Sequence, residues 1–132
     1  MKNDKTDNHE QLFWEEIDRL FPDMIKAIAS LSKKSYLSIT NLRTGITWWS
    51  ERAMDYFGMK ENYTIRGMEK ANRKIHPDDV ATFKRGFKER VDGKNLDTAW
   101  EYRIQDGDSY NRFNAMARVL YDEQKQPFII II

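Results

Sequence analysis

The feature that most constrains the fold is a change of hydrophobic period near Tyr36. Before it, Trp14, Ile17, Phe21, Met24, Ile28 and Leu31 recur at alternating spacings of three and four, which places one apolar stripe along a helix or a pair of helices. Pro22 interrupts the stripe. Proline lacks an amide hydrogen and clashes with the preceding turn, so a kink, or a second helix starting there, is expected. After Tyr36 the apolar residues turn β-branched or aromatic and alternate in steps of two. The early stripe has two outlets: it covers the sheet of its own chain, or it pairs with a second copy as a coiled coil or an exchanged helix.

Local punctuation supplies the elements. Residues 36–41 and 46–49 flank a Thr44-Gly45 turn and predict a first hairpin. Ser50 is placed to cap a short helix over residues 51–57, and Gly58 to end it in the left-handed conformation. Residues 59–75 are mixed and predict only short helical turns. His76-Pro77-Asp78-Asp79 reads as a strong helix start, with proline in the first turn and two acids against the positive end of the dipole. Val80, Phe83, Phe87 and Val91 mark the expected buried face of that helix, Lys84, Arg85, Lys88 and Arg90 crowd toward its negative end, and Gly93 stops it. Strand text follows over residues 98–105, an Asp106-Gly107 turn, residues 110–121, a polar turn through Gln126, and residues 128–132. The expected class is therefore α+β, a five-stranded antiparallel sheet with helices on one face, preceded by an N-terminal helical segment. Residues 1–34 form that flanking segment, with the first ten frayed, and residues 35–132 the main domain.

A length of 132 residues suits one ordinary domain, and seven Phe, six Tyr and four Trp supply its core. Lys and Arg total 22 against 21 Asp and Glu, so no broad field draws in nucleic acid or an anionic membrane. The absence of cysteine rules out disulfides, thiolate metal sites and a cysteine nucleophile. The polar start lacks a secretory signal and the apolar end is too short to span a bilayer, so a cytoplasmic location is expected. Ile132 stands inside an apolar run, and the natural protein is expected to continue beyond it.

No nucleophile with its base, no pair of pocket carboxylates and no metal cluster is visible, so an enzyme is not expected. Asp78 and Asp79 are adjacent and point to different sides of a helix, as dipole partners would. Glu101 and Arg103 share one strand face and suit a pairing across the sheet. Arg66, Lys70, Arg73 and Lys74 read as a solvated basic face. Residues 112–116 lack the glycine and aromatic spacing of an RNA-recognition strand. One apolar set has a choice. Trp100, Tyr102 and Ile104 share a strand face, as do Phe113, Ala115, Ala117 and Val119, and Met54, Phe57, Met68, Phe83 and Phe87 face them from helices. Small residues at 115 and 117 leave room for a ligand cavity, whereas native packing density favours a filled core. The candidate ligand-binding residues are Met54, Phe57, Met68, Phe83, Phe87, Tyr102, Phe113 and Ala115.

Four pieces of this text, in order, resemble the PAS domain over most of residues 36–132. They are Trp49-Ser50-Glu51 with Tyr56-Phe57-Gly58, then Ile75-His76-Pro77-Asp78-Asp79, then Glu101-Tyr102-Arg103-Ile104, then Asp108-Ser109-Tyr110. The subgroup with an Ile-His-Pro-Asp-Asp helix start before a Glu-Tyr-Arg strand is the nearest. The resemblance implies a non-catalytic sensory or relay domain of a larger bacterial signalling protein, joined to an effector such as a kinase or a cyclic-dinucleotide enzyme. It also implies a homodimer, with Trp14, Ile17, Phe21, Met24, Ile28 and Leu31 as the dimerisation residues, and a small-molecule ligand. The alternative is a ligand-free dimerisation module. Blue-light members of the family carry a reactive cysteine that bonds flavin; this chain has none, so covalent flavin is excluded. Haem-binding members use a histidine near the long helix. Here only His76 is so placed, and its position before Pro77 suits helix entry better than iron, while His9 lies in the polar start.

Overall fold

The structure is a computed structural model that describes residues 5–21, 23–31 and 34–132; Pro22, the expected kink, and the first four residues lie outside the described residues. The class is α+β, with a five-stranded antiparallel sheet, a further two-stranded ladder and helices. Packing divides the chain into two compact units whose boundary in the sequence falls between Gly67 and Met68.

The first unit holds α1 (Lys5–Leu20), α2 (Met24–Leu31), β1 (Ser38–Asn41), β2 (Ile46–Trp49), α3 (Glu51–Phe57) and β3 (Tyr63–Ile65). Helix α1 already runs through Lys5 to Glu10, which the sequence reading left frayed. β1, β2 and β3 form an antiparallel ladder, with Ile39 opposite Trp48, Thr40 opposite Thr47, and Trp48 in turn opposite Tyr63. The expected turn is present: Gly45 has φ 74° and its amide donates to the Asn41 carbonyl at 2.8 Å, closing the β1–β2 link. At the far end of β2, Ser50 Oγ accepts from the amides of Ala53 and Leu37 and donates to the Ser35 carbonyl, so one hydroxyl starts α3 and fixes the entry to β1. Strand β3 stands where only short helical turns are expected, because three residues carry too little alternation to show a period.

Because residues opposite one another share a face, Ile39, Trp48, Ile46, Ile65 and Tyr63 lie on one side of the ladder. Helix α1 packs against β2 and β3. Phe13 and Ile17 are fully buried, and Trp14 Nε1 donates to the Tyr63 hydroxyl at 2.8 Å. Burial of two such side chains stabilises this docking by roughly 3 to 6 kcal/mol before entropic costs.

The second unit holds α4 (Gly67–Asn72) from its second residue on, a 3-10 turn (Pro77–Asp79), α5 (Val80–Val91), β4 (Trp100–Asp106), β5 (Ser109–Ala115), β6 (Arg118–Tyr121) and β7 (Pro127–Ile131). Pro77 begins the 3-10 turn, with His76 Nδ1 accepting from the Asp78 amide at 3.1 Å, and α5 follows. The buried face of α5 is Phe83, Gly86 and Arg90; Val80, Phe87 and Val91 are half-buried. The expected face was rotated because a glycine and an arginine do not register as core letters. β4 alternates as expected, burying Trp100, Tyr102 and Ile104. The strand expected over residues 110–121 is two strands. β5 pairs with β4, β6 pairs with β7, and the exposed Met116 stands where the pairing partner changes. Gly107, at φ 61°, makes the β4–β5 turn.

Candidate functional site

In the second unit Phe83 is the centre of an aromatic group. Its ring meets Tyr102 edge-on at 4.8 Å between centroids and lies 6.1 Å from Trp100 and 6.3 Å from Phe87. The α5 helix presents Phe83 toward β4, and the period of β4 presents Trp100 and Tyr102 together. Phe113 and Ala115 stand opposite Tyr102 and Trp100 in the β4–β5 register. Of the predicted ligand residues, Phe83, Phe87, Tyr102, Phe113 and Ala115 are thus neighbours, while Met68 is half-buried on α4. Burial pushes the Tyr102 phenol far above its ordinary pKa, so this ring is held neutral.

A carboxylate and a guanidinium lock the start of α5 to β4. Asp79 accepts from Arg103 Nε at 2.8 Å, from its Nη2 at 2.9 Å and from its backbone amide at 2.9 Å. This bidentate clasp replaces the dipole role expected of Asp79, while Glu101 pairs across the ladder with Arg112 at 2.6 Å. Both side chains stay on the strand face expected for them: Asp79 takes Arg103 at the helix entry, and Glu101 reaches Arg112, its diagonal neighbour across the β4–β5 ladder. The Arg103 hydrogen bonds hold the Asp79 carboxyl far below the usual carboxylate range. A carboxylate with a depressed folded-state pKa adds stability above its unfolded value, about 3.9, and loses that contribution as pH falls through the acid range. The wild-type unfolding midpoint is therefore expected to drop with acidification below about pH 4, and Asp79→Asn to flatten that drop. Urea titrations across the acid range check this; a pH slope unchanged by the substitution would discard it.

The His76 ring lies against Tyr110, tilted by 59° with centroids 4.6 Å apart, and its Nδ1 accepts from the Asp78 amide. Among the described residues no group of three or more His, Asp or Glu could hold a metal ion, and no helix is long and apolar enough to cross a membrane.

In the first unit the ladder face opposite α1 carries hydroxyls. Thr40 and Thr47 pair at 2.8 Å in the interior, and Trp49 Nε1 donates to Thr64 Oγ1 at 2.7 Å. Phe57 of α3 is buried beside Trp49, at 5.6 Å between rings, and Met54 is half-buried on the same helix. The sequence reading named Phe57 and Met54 but missed the hydroxyl row. Its signal was the alternation of Ser38 and Thr40 with Ile39, and of Thr47 with Ile46. A separate cleft of about 280 Å³ lies among Ala29, Ser30, Trp48, Ser50, Glu51 and Asn62, and none of the predicted ligand residues lines it.

The six stripe residues take different places. Ile17 is fully buried, Trp14, Phe21 and Ile28 are half-buried, and Met24 and Leu31 are 41% and 87% exposed. The fully buried apolar positions of the segment are Phe13, Ile17 and Ile25. The spacing was read along a helix or a pair of helices; two helices are present, and α1 and α2 each turn their own face inward.

Comparisons with known proteins agree with this architecture. Among curated protein sequences no relative matches. Among solved structures, a sensory box histidine kinase/response regulator from Burkholderia thailandensis E264 is similar at TM-score 0.57 and 18% identity, covering 81% of this chain and 79% of that one. The N-terminal domain of a diguanylate cyclase with PAS/PAC sensor from Marinobacter aquaeolei gives TM-score 0.57 and 16% identity over 72% and 87% of the two chains. A PAS domain from Colwellia psychrerythraea gives TM-score 0.54 and 20% identity over 83% and 94%. The family model described as PAS fold matches residues 46–132, which is more than half of the sequence. With the α5 helix and its 3-10 entry lying within that match, the chain belongs to the PAS fold family.

Proposed function

We propose that this chain is a non-catalytic sensory and relay domain of a larger bacterial signalling protein, working in the cytoplasm and joined to an effector that follows Ile132. The family match over residues 46–132 carries this reading, and similar folds in a histidine kinase/response regulator and a diguanylate cyclase support it. Residues 35–132 would form the sensor and residues 1–34 its flanking segment. The buried aromatic group around Phe83, with Phe87, Tyr102, Phe113 and Ala115, offers a small ligand stacking surfaces and one neutral phenol. Met54, Phe57 and Met68 remain candidates on their own elements. A ligand shifts signalling only by binding two arrangements of the domain unequally.

A second reading, a ligand-free dimerisation module, draws on the exposure of Met24 and Leu31 on α2. In this reading a second copy covers α2, while Trp14 and Ile17 stay with their own sheet. Native mass spectrometry of the freshly purified chain, with an absorbance scan for pigment, decides between the two. The sensor reading expects a co-purifying small molecule that Phe83→Ala releases. A clean apo dimer that Leu31→Asp converts to monomer would replace it with the module reading.

A further inference from the structure

Arg90 is a buried cation without a counter-ion. It is 2% exposed, and among the described residues no carboxylate pairs with it. Its Nη1 donates to the Gly86 carbonyl at 3.0 Å and its Nη2 to the Thr98 carbonyl at 2.5 Å. The guanidinium carbon sits 3.9 Å above the centre of the Trp100 ring. Carbonyl dipoles and an aromatic face attract a cation, but they leave its net charge uncancelled in a medium of low dielectric. The stack also holds two unused donors. Arg90 Nε and Trp100 Nε1 are both buried with no acceptor, although such groups are nearly always satisfied in native interiors. An uncompensated positive charge and two orphan N–H groups, on side chains in direct contact, call for one and the same missing species.

We infer that Arg90 and Trp100 form a binding site for a small carboxylate. A carboxylate supplies the negative charge and has two oxygens, one for Arg90 Nε–H and one for the indole N–H. Charge-assisted hydrogen bonds of this kind are strongest where water is excluded. The site is compact, because the other guanidinium nitrogens already hold the helix and the Thr98 carbonyl. It lies where α5 meets the first residue of β4, so occupancy would tighten the packing that the aromatic group depends on. The inference stands on these two side chains and is independent of the sensory reading.

Acetate is the probe, titrated into the full chain against sulfate at matched ionic strength, with indole fluorescence and melting temperature as readouts. The wild type should give a saturable acetate response in both. Trp100→Phe keeps an aromatic face beneath the guanidinium and removes only one donor. It should lose the fluorescence change and bind acetate about tenfold more weakly. Arg90→Gln should abolish the response. If Arg90→Gln does not fold, Trp100→Phe still decides the matter. A wild type without a saturable response, a Trp100→Phe variant with the wild-type acetate dependence, or an equal response to sulfate and acetate would each overturn the assignment.

Discussion

Replacing Gly86 with alanine is expected to destabilise the protein by about 1 to 3 kcal/mol, against the usual trend for a helix interior. Glycine to alanine in mid-helix ordinarily gains about 1 kcal/mol, because alanine loses less backbone entropy. Here a Cβ on residue 86 would lie 2.8 Å from both Cδ1 and Nε1 of Trp100 and 3.1 Å from Cε2. An indole is rigid, and this one is held under the Arg90 guanidinium and beside Phe83, so it cannot swing away as a flexible chain end would. The clash must move α5 relative to β4 or force the ring off its rotamer. Urea denaturation measures the loss, and the double variant with Trp100→Phe should recover part of it, since the two sites share one contact. A Gly86→Ala protein more stable than wild type would show that the close approach is not what keeps glycine there.

Phe13→Ala is expected to cost about 3 to 5 kcal/mol, the larger of the two effects. Phe13 is fully buried, with its ring edge-on to Trp14 at 4.8 Å and to Tyr63 at 5.4 Å, so truncation leaves a cavity between α1 and β3 that neither ring can fill alone. Leu12, its neighbour in sequence, is 47% exposed, and Leu12→Ala should stay within about 0.5 kcal/mol of wild type. Hydrogen exchange should show the amides of α1 opening first in the Phe13 variant. Equal losses from Leu12→Ala and Phe13→Ala would mean that α1 does not dock on its sheet as the structure has it.

These two residues mark the border between what the letters reveal and what they conceal. Ser50 capping α3, Gly58 at φ 66° ending it, and Gly45 and Gly107 turning the hairpins were all legible in advance. Each acts through atoms a few residues away, so the text around it contains the whole interaction. The period of β4 was legible for the same reason: alternation is a property of one strand. The family followed, since its signature is a series of such local pieces in order.

Long-range pairing was hidden. Arg90 reads as one more cation near a helix end, and only the approach of β4 turns it into a buried ion over Trp100. Asp79 reads as a dipole partner until Arg103, 24 residues away, arrives with three donors. Phe13 lay one position outside the stripe, because a spacing rule cannot tell which side of α1 will meet a sheet. In each case the decisive energy comes from a neighbour remote in sequence, which becomes a neighbour only once helix and strand have packed.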